Sequence, residues 1–236
     1  MKTRERIIET SLHLFNERGE RSVTTNHIAA ELGISPGNLY YHFRNKADII
    51  YALFEHYEAR VANYLAVDLE RPLVMEDKAR YLEDTFHVVW DFRFLYRDLA
   101  HLLEQDERLR GRYGEFVTHA MGQVLELLRH ARDSGLMQLR DEDIEPLATN
   151  MWVVLTAWIS FLQGTLTHNS SAPTITRAMV GRGIYQVICL EAPYLSSEAR
   201  LYLPRLKEAW LDAEEPGQHR LFADQPPRSG SAGGKR

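Results

Sequence analysis

Residues 23–46 read VTTNHIAAELGISPGNLYYHFRNK, and this stretch decides the fold. Thr24 or Thr25 can cap a short helix, because a hydroxyl satisfies an orphan N–H at a helix start. Ile28, Ala29 and Leu32 give that helix a small apolar face. Gly33 can end it by taking a positive φ at low cost, which lets Ile34 reach the core. Ser35 is a second N-cap and Pro36 a first-turn proline, together a strong start signal. Helix, glycine turn, helix is the arrangement whose second helix enters the major groove of DNA.

At 100° per residue, Leu39 and Phe43 fall on one side of the second helix and anchor it in the core. Gly37 and Tyr41 point the opposite way, flanked by Asn38 and Tyr40, with His42 to the side. A protein surface rarely exposes such a set without a partner. Gly37 permits close backbone approach. Tyrosine hydroxyls can bond phosphates, and Asn38 can read a base edge. The N–H groups after Ser35 can receive a phosphate. Lys46, which opens the next helix, can hold another. With Thr24, Thr25 and Asn26 at the first helix start, these residues form the candidate DNA surface.

Outward from this segment the chain is helical in pattern. Ile8, Leu12 and Phe15 recur at helical spacing before Gly19. Ile49, Leu53, Tyr57 and Val61 continue it, as do Leu82, Phe86, Val89, Trp90 and Phe94. Residues 107–135, 147–168, 174–192 and 196–214 add further helices, with Pro204 kinking or shortening the last. Alternating runs of strand length are hard to find. The expectation is an all-α chain of nine or ten helices: a helix-turn-helix domain over 1–47, a helical ligand-binding and dimerisation domain over 48–214, and a disordered tail over 215–236 rich in Pro, Gly and Ser.

The segment 147–168 is apolar nearly all round, so it must be buried on several sides. Packing on its own domain and on a second subunit satisfies this, with 174–192 as the other interface helix. Residues 146–176 carry no Asp, Glu, Lys or Arg. Their apolar part, Met151 to Leu162, is nonetheless too short for the ~20 residues of a membrane span, so no membrane association is expected.

The 236 residues carry 28 Lys+Arg and 33 Asp+Glu, a net charge of −5, which excludes a protein basic all over. The charge is uneven. Residues 1–50 hold seven basic and six acidic side chains, and 32–47 hold Arg44 and Lys46 with no acid. A locally basic reader on an acidic body follows. A lone cysteine, Cys189, excludes a disulfide framework. With no signal-like N-terminus, the cytoplasm is the expected compartment.

Residues 4–50 resemble the N-terminal domain of the TetR family of bacterial transcriptional regulators. The resemblance rests on Ile7, Ala29, Gly33, Ser35, the run Gly37-Asn38-Leu39-Tyr40-Tyr41-His42-Phe43, and Lys46. It implies three DNA-binding helices, a divergent helical ligand-binding domain and a homodimer on a palindromic double-stranded operator. It also implies that Thr25 and Lys46 touch phosphates while Pro36, Gly37, Asn38, Tyr40, Tyr41 and His42 face the operator. Ser35 stands where other members carry a longer polar side chain. Residues 92–99, FRFLYRDL, and Ala192-Pro193-Tyr194-Leu195 resemble a subgroup that includes a regulator of polyhydroxyalkanoate synthesis, which implies a fatty acyl effector.

Candidate ligand contacts are His87, Trp90, Phe94, His101, Phe116, Met121, Trp152 and Phe161, which mix apolar walls with polar handles. The function expected is a ligand-responsive regulator, a repressor by family habit, released by a small hydrophobic effector. The alternative is a helical sensor or interaction protein without specific DNA binding. Enzymatic readings are weak. Gly33-Ile34-Ser35-Pro36-Gly37 fits G-x-S-x-G, but Pro36 has no N–H to donate to an oxyanion and no strand precedes Ser35. The ten histidines show no metal-ligand spacing, and no cofactor is expected.

Overall fold

The computed structural model describes residues 2–66, 70–166 and 175–211. Its elements run α1 (Thr3–Arg18), a 3-10 turn (Glu20–Ser22), α2 (Thr25–Leu32), α3 (Pro36–His42), α4 (Lys46–Leu65), α5 (Met75–Asp91), α6 (Arg93–Gln105), α7 (Glu107–Asp133), α8 (Asp141–Leu166), α9 (Arg177–Glu191), a second 3-10 turn (Ala192–Tyr194), α10 (Ser197–Arg200) and α11 (Leu203–Leu211). An isolated bridge between Met137 and Leu195 is the only β pairing among the described residues. The fold is all-α, an N-terminal helix-turn-helix domain followed by a helical body. The expected tail, and residues 167, 168 and 174 of the expected interface helices, lie outside the described residues.

Two helix boundaries differ from the sequence reading. The helix expected over 147–168 begins at Asp141 and carries Pro146 inside it. Proline that close to the start removes a single backbone bond. The acidic first turn, Asp141, Glu142 and Asp143, favours the positive end of the helix dipole. The segment 196–214 breaks at Leu201–Tyr202 into α10 and α11. Pro204 is the second residue of α11, where its missing N–H costs little.

The reader packs around Ile7, Phe15, Ile28, Leu39, Ile49 and Leu53, each fully buried. The expected boundary at 47/48 falls in the first turn of α4, a continuous helix of 20 residues. Helix α1 docks on α6. Phe15 and Phe94 meet in a tilted contact at 5.4 Å between centroids. Asn16 Nδ2 donates to the Asp91 carbonyl at 2.7 Å, and the Phe94 N–H donates to Asn16 Oδ1 at 3.1 Å. Arg97 Nη2 donates to the Phe15 carbonyl at 2.6 Å, so a guanidinium sits at the negative end of α1.

In the body, α8 buries Ala148, Met151, Ile159 and Leu162. Its opposite side exposes Val153 (54%), Ala157 and Phe161 (42%) at four-residue spacing. Helix α9 is mostly covered, by α8, α5 and α11. Gly183 brings α9 so close to α8 that a Cβ there would lie 2.6 Å from Trp158. No helix of the described residues is long and apolar enough to cross a membrane.

Candidate nucleic-acid interface

The two reader helices are fixed by their ends. Thr24 caps α2: its Oγ1 accepts the His27 N–H at 3.3 Å, and its own N–H donates to His27 Nδ1 at 3.3 Å. His27 thereby fills the place that Glu or Gln takes in a capping box. The sequence reading missed that role, although position three after the cap was the signal. Gly33 closes α2 at φ 66° and ψ 31°. Its N–H bonds the Ala30 carbonyl and the Ile34 N–H bonds that of Ala29, the paired bonds of a Schellman turn. Ser35 then caps α3, its Oγ accepting the Asn38 N–H at 3.2 Å.

Leu39 is fully buried and Phe43 nearly so, and this anchoring turns the other face of α3 outward. Ser35, Pro36, Gly37, Asn38, Tyr40 and Tyr41 are exposed, as are Thr24 and Asn26; Thr25, His42 and Lys46 are half-buried. Tyr41 is 86% exposed and edges onto His42 with ring centroids 5.1 Å apart. The hydroxyls of Thr25 and Tyr40 lie 3.0 Å apart, tying the start of α2 to α3. Each hydroxyl carries one hydrogen, so one of the two stays available to a phosphate.

Lys46 is differently placed. Its ammonium contacts Glu20 Oε1 at 2.6 Å and donates to the Glu20 carbonyl at 3.0 Å and the Val23 carbonyl at 3.1 Å. An ammonium has three donors, so the group expected to hold a phosphate is engaged inside the domain. Arg44, not among the candidate contacts, has an 86% exposed side chain at the end of α3 and approaches Asp48 at 3.4 Å. Its isolation from acids in 32–47 was the available signal.

The eight candidate ligand residues do not converge. Phe94 is fully buried against Phe15 at the docking surface of α1. His101 faces a cleft with Glu20 and Lys46. Trp90 is covered by the guanidiniums of Arg93 and Arg177, at 4.2 and 5.2 Å from its ring, and His87 lies edge-on to Phe86. Phe161 is on the exposed side of α8. Phe116 and Trp152 do meet, 6.1 Å apart, and Met121 packs partly buried against the core.

Trp152 also lines an internal cavity of about 40 Å³ between α4, α5, α8 and α9. A second, of about 50 Å³, lies between α5, α7 and the end of α9. Tyr81, Val124 and Met151 wall both. Tyr64 lines the first, and burial pushes its phenol up to about 12, so it remains a neutral donor. Among the described residues no cluster of three or more His, Cys, Asp or Glu could hold a metal ion.

Two family models match the chain. "Bacterial regulatory proteins, tetR family" covers residues 7–53, and the TetR "bacterial transcriptional repressor" model covers 56–203. A TetR-family transcriptional regulator from Marinobacter aquaeolei VT8 is 44% identical, with a TM-score of 0.79, over 89% of this chain and 99% of that one. A TetR regulator from Haloarcula marismortui shares the fold at 15% identity and a TM-score of 0.60, over 82% of this chain and 98% of that one. An HTH-type transcriptional regulator of Staphylococcus aureus (strain USA300) is 43% identical over 54 residues, 23% of this chain. That match spans only 29% of the staphylococcal protein.

Proposed function

The chain belongs to the TetR family of bacterial transcriptional regulators, a family of DNA-binding proteins rather than enzymes, and from that premise we propose that it acts as a homodimeric repressor of a palindromic operator, released by a small hydrophobic effector. The observation that carries the DNA-reading half is the outward face of α3. Residues 35–41 expose Asn38, Tyr40 and Tyr41 around Gly37, on a helix capped at its start and anchored by Leu39 and Phe43. Seven helical residues span ~10 Å, which fits within the ~12 Å major groove. We take residues 1–47 as the reader and 48–214 as the sensor and dimer core; the expected tail over 215–236 lies outside the described residues. The cytoplasm is the compartment in which such a reader meets DNA.

The dimer reading is supported by the apolar stripe Val153, Ala157 and Phe161 on α8, which a second copy would cover. Two-fold pairing would set two α3 helices to meet successive major grooves, ~34 Å apart. Effector release is supported by the course of α4. Tyr64 and Leu65 at its end line an internal cavity, while Lys46 at its start is bonded into the reader. A helix of 20 residues is a ~30 Å lever. A ligand that favours a tilted α4 would change the spacing of the recognition helices and lower operator affinity. The fatty acyl identity is supported only by the short subgroup resemblance.

The test is binding to DNA upstream of the protein's own gene at two salt concentrations. Specific, salt-sensitive binding that weakens in Tyr41→Ala is expected. Tyr41 is so exposed that its removal leaves stability within ~0.5 kcal/mol, which separates a lost contact from a lost fold. Unchanged operator affinity in Tyr41→Ala would defeat the assignment of α3, and the absence of any specific binding would favour an interaction protein.

A further inference from the structure

The paired cavities in the body hold an ion pair that helix stability does not explain. Lys78 lies near the start of α5 and Glu191 is the last residue of α9. Each charge therefore sits at the helix end that the dipole disfavours. Both side chains are buried, 10% and 4% exposed, and Lys78 Nζ meets Glu191 Oε1 at 2.6 Å. The second carboxylate oxygen, Oε2, is buried with no hydrogen-bond partner. Lys78, Glu191 and Asp77 line one end of the larger cavity. The rest of its wall is mostly apolar, and Tyr81, Val124 and Met151 separate it from the smaller cavity beside Trp152.

A buried carboxylate oxygen without a partner is costly, and what it accepts is a donor. Asp77 does not supply one, and it is itself held by Arg71 at 2.7 Å. We propose that these cavities form one effector site for an amphipathic compound whose apolar body lies past Met151 toward Trp152 and whose hydroxyl or ammonium head donates to Glu191 Oε2. Met151 is an unbranched, adaptable partition, suited to joining the two spaces when a chain enters. An anionic head meets a carboxylate and the negative end of α9 at the same point, where the charge of Lys78 is already balanced by Glu191. The site therefore selects for a donor head over a carboxylate of equal chain length. This rests on the ligand-responsive reading above and gives its hydrophobic effector a donor head in place of a free fatty carboxylate.

The experiment is isothermal titration of the full chain, without DNA, with octanol, octylamine and octanoate. Octanol, octylamine or both are expected to bind about tenfold or more tightly than octanoate, because a site with an unsatisfied polar group rejects the ligand that cannot pair it. The pair is then removed together, as Lys78→Met with Glu191→Met, which leaves no unpaired buried charge behind. In that variant whichever preference over octanoate the wild type shows is expected to shrink at least about threefold, toward what desolvation of each head alone sets. Octanoate binding as tightly as the other two, the preference undiminished in the double variant, or no saturable binding of octanol or octylamine would each overturn the proposal. Operator binding of the unliganded chain is measured separately, so failure of the DNA reading is seen independently of the head-group result.

Discussion

Lys46→Met separates two roles for one lysine. The family resemblance implies a phosphate contact, whereas the structure spends the ammonium on Glu20 and two carbonyls. Methionine keeps the apolar stem and removes the charge. Glu20, 4% exposed, is then a buried carboxylate without its cation, and the carbonyls of Glu20 and Val23 lose a donor. Breaking a buried pair by removing one partner costs ~3–5 kcal/mol. The lysine side chain is 29% exposed, which places this case at the low end, at about 3 kcal/mol. For a chain of this size that is a fall in Tm of roughly 6–12 °C. Adding Glu20→Gln removes the stranded charge and should recover at least half of the loss. Scanning calorimetry of the two single variants and the double variant measures this. Operator titration over a salt series, at a temperature where all remain folded, measures the other role. A lost phosphate contact lowers the slope of log K against log salt by ~0.9, and an internal staple leaves it unchanged. A Lys46→Met protein of full stability whose slope has dropped by one contact would refute the reasoning.

Gly183→Ala and Gly122→Ala should move stability in opposite directions. At 183 the new Cβ falls 2.6 Å from the Trp158 ring, whose Nε1–H donates to the Met179 carbonyl at 2.8 Å; overpacking of ~1–3 kcal/mol and disturbance of that bond outweigh the ~1 kcal/mol gain in helix propensity. At 122 nothing lies within 4 Å, so the propensity gain stands alone; equal Tm shifts at matched protein concentration would contradict this. Val153→Glu places a charge in the apolar stripe of α8, and sedimentation at micromolar concentration should show a monomer where the wild type is a dimer; a wild-type monomer ends the dimer reading. Arg71 beside Asp77 holds its carboxyl down at about 2. Its stabilising contribution is therefore present above the unfolded value near ~4 and lost as pH falls toward 2. Asp77→Asn should lower the urea midpoint at pH 6 more than at pH 2, and an equal loss at both would show that the ion pair contributes nothing.

The reader was legible because its signals are local. A cap at Thr24, a left-handed Gly33, and Ser35-Pro36 each act within three or four residues, and the turn they dictate is the turn observed. Leu39 and Phe43 anchor α3 as their spacing required. Pro146 hides the start of α8 from the sequence, because proline is a breaker in a helix interior but a tolerated guest near its N-terminus, where few bonds depend on it. Side-chain type alone does not single out ligand contacts. Aromatic and histidine side chains are equally suited to a cavity wall, a domain joint or a cation's cover, and the structure uses Phe94, Trp90 and Trp152 for different ones of these.

The sequence by itself determined the helical class, the two-helix reader and the outward face of α3, because capping and 3.6-residue periodicity are properties of neighbours along the chain. The tertiary structure decided the fate of charges and of empty space. Lys46 is 26 residues from Glu20, Arg97 is 82 from Phe15, and Lys78 is more than a hundred from Glu191. Whether such a charge reaches solvent, a phosphate or a buried carboxylate depends on how helices cross, and crossing is set by side-chain packing between elements distant in sequence. The orphan oxygen of Glu191 arises at such a crossing, and no local pattern announces it.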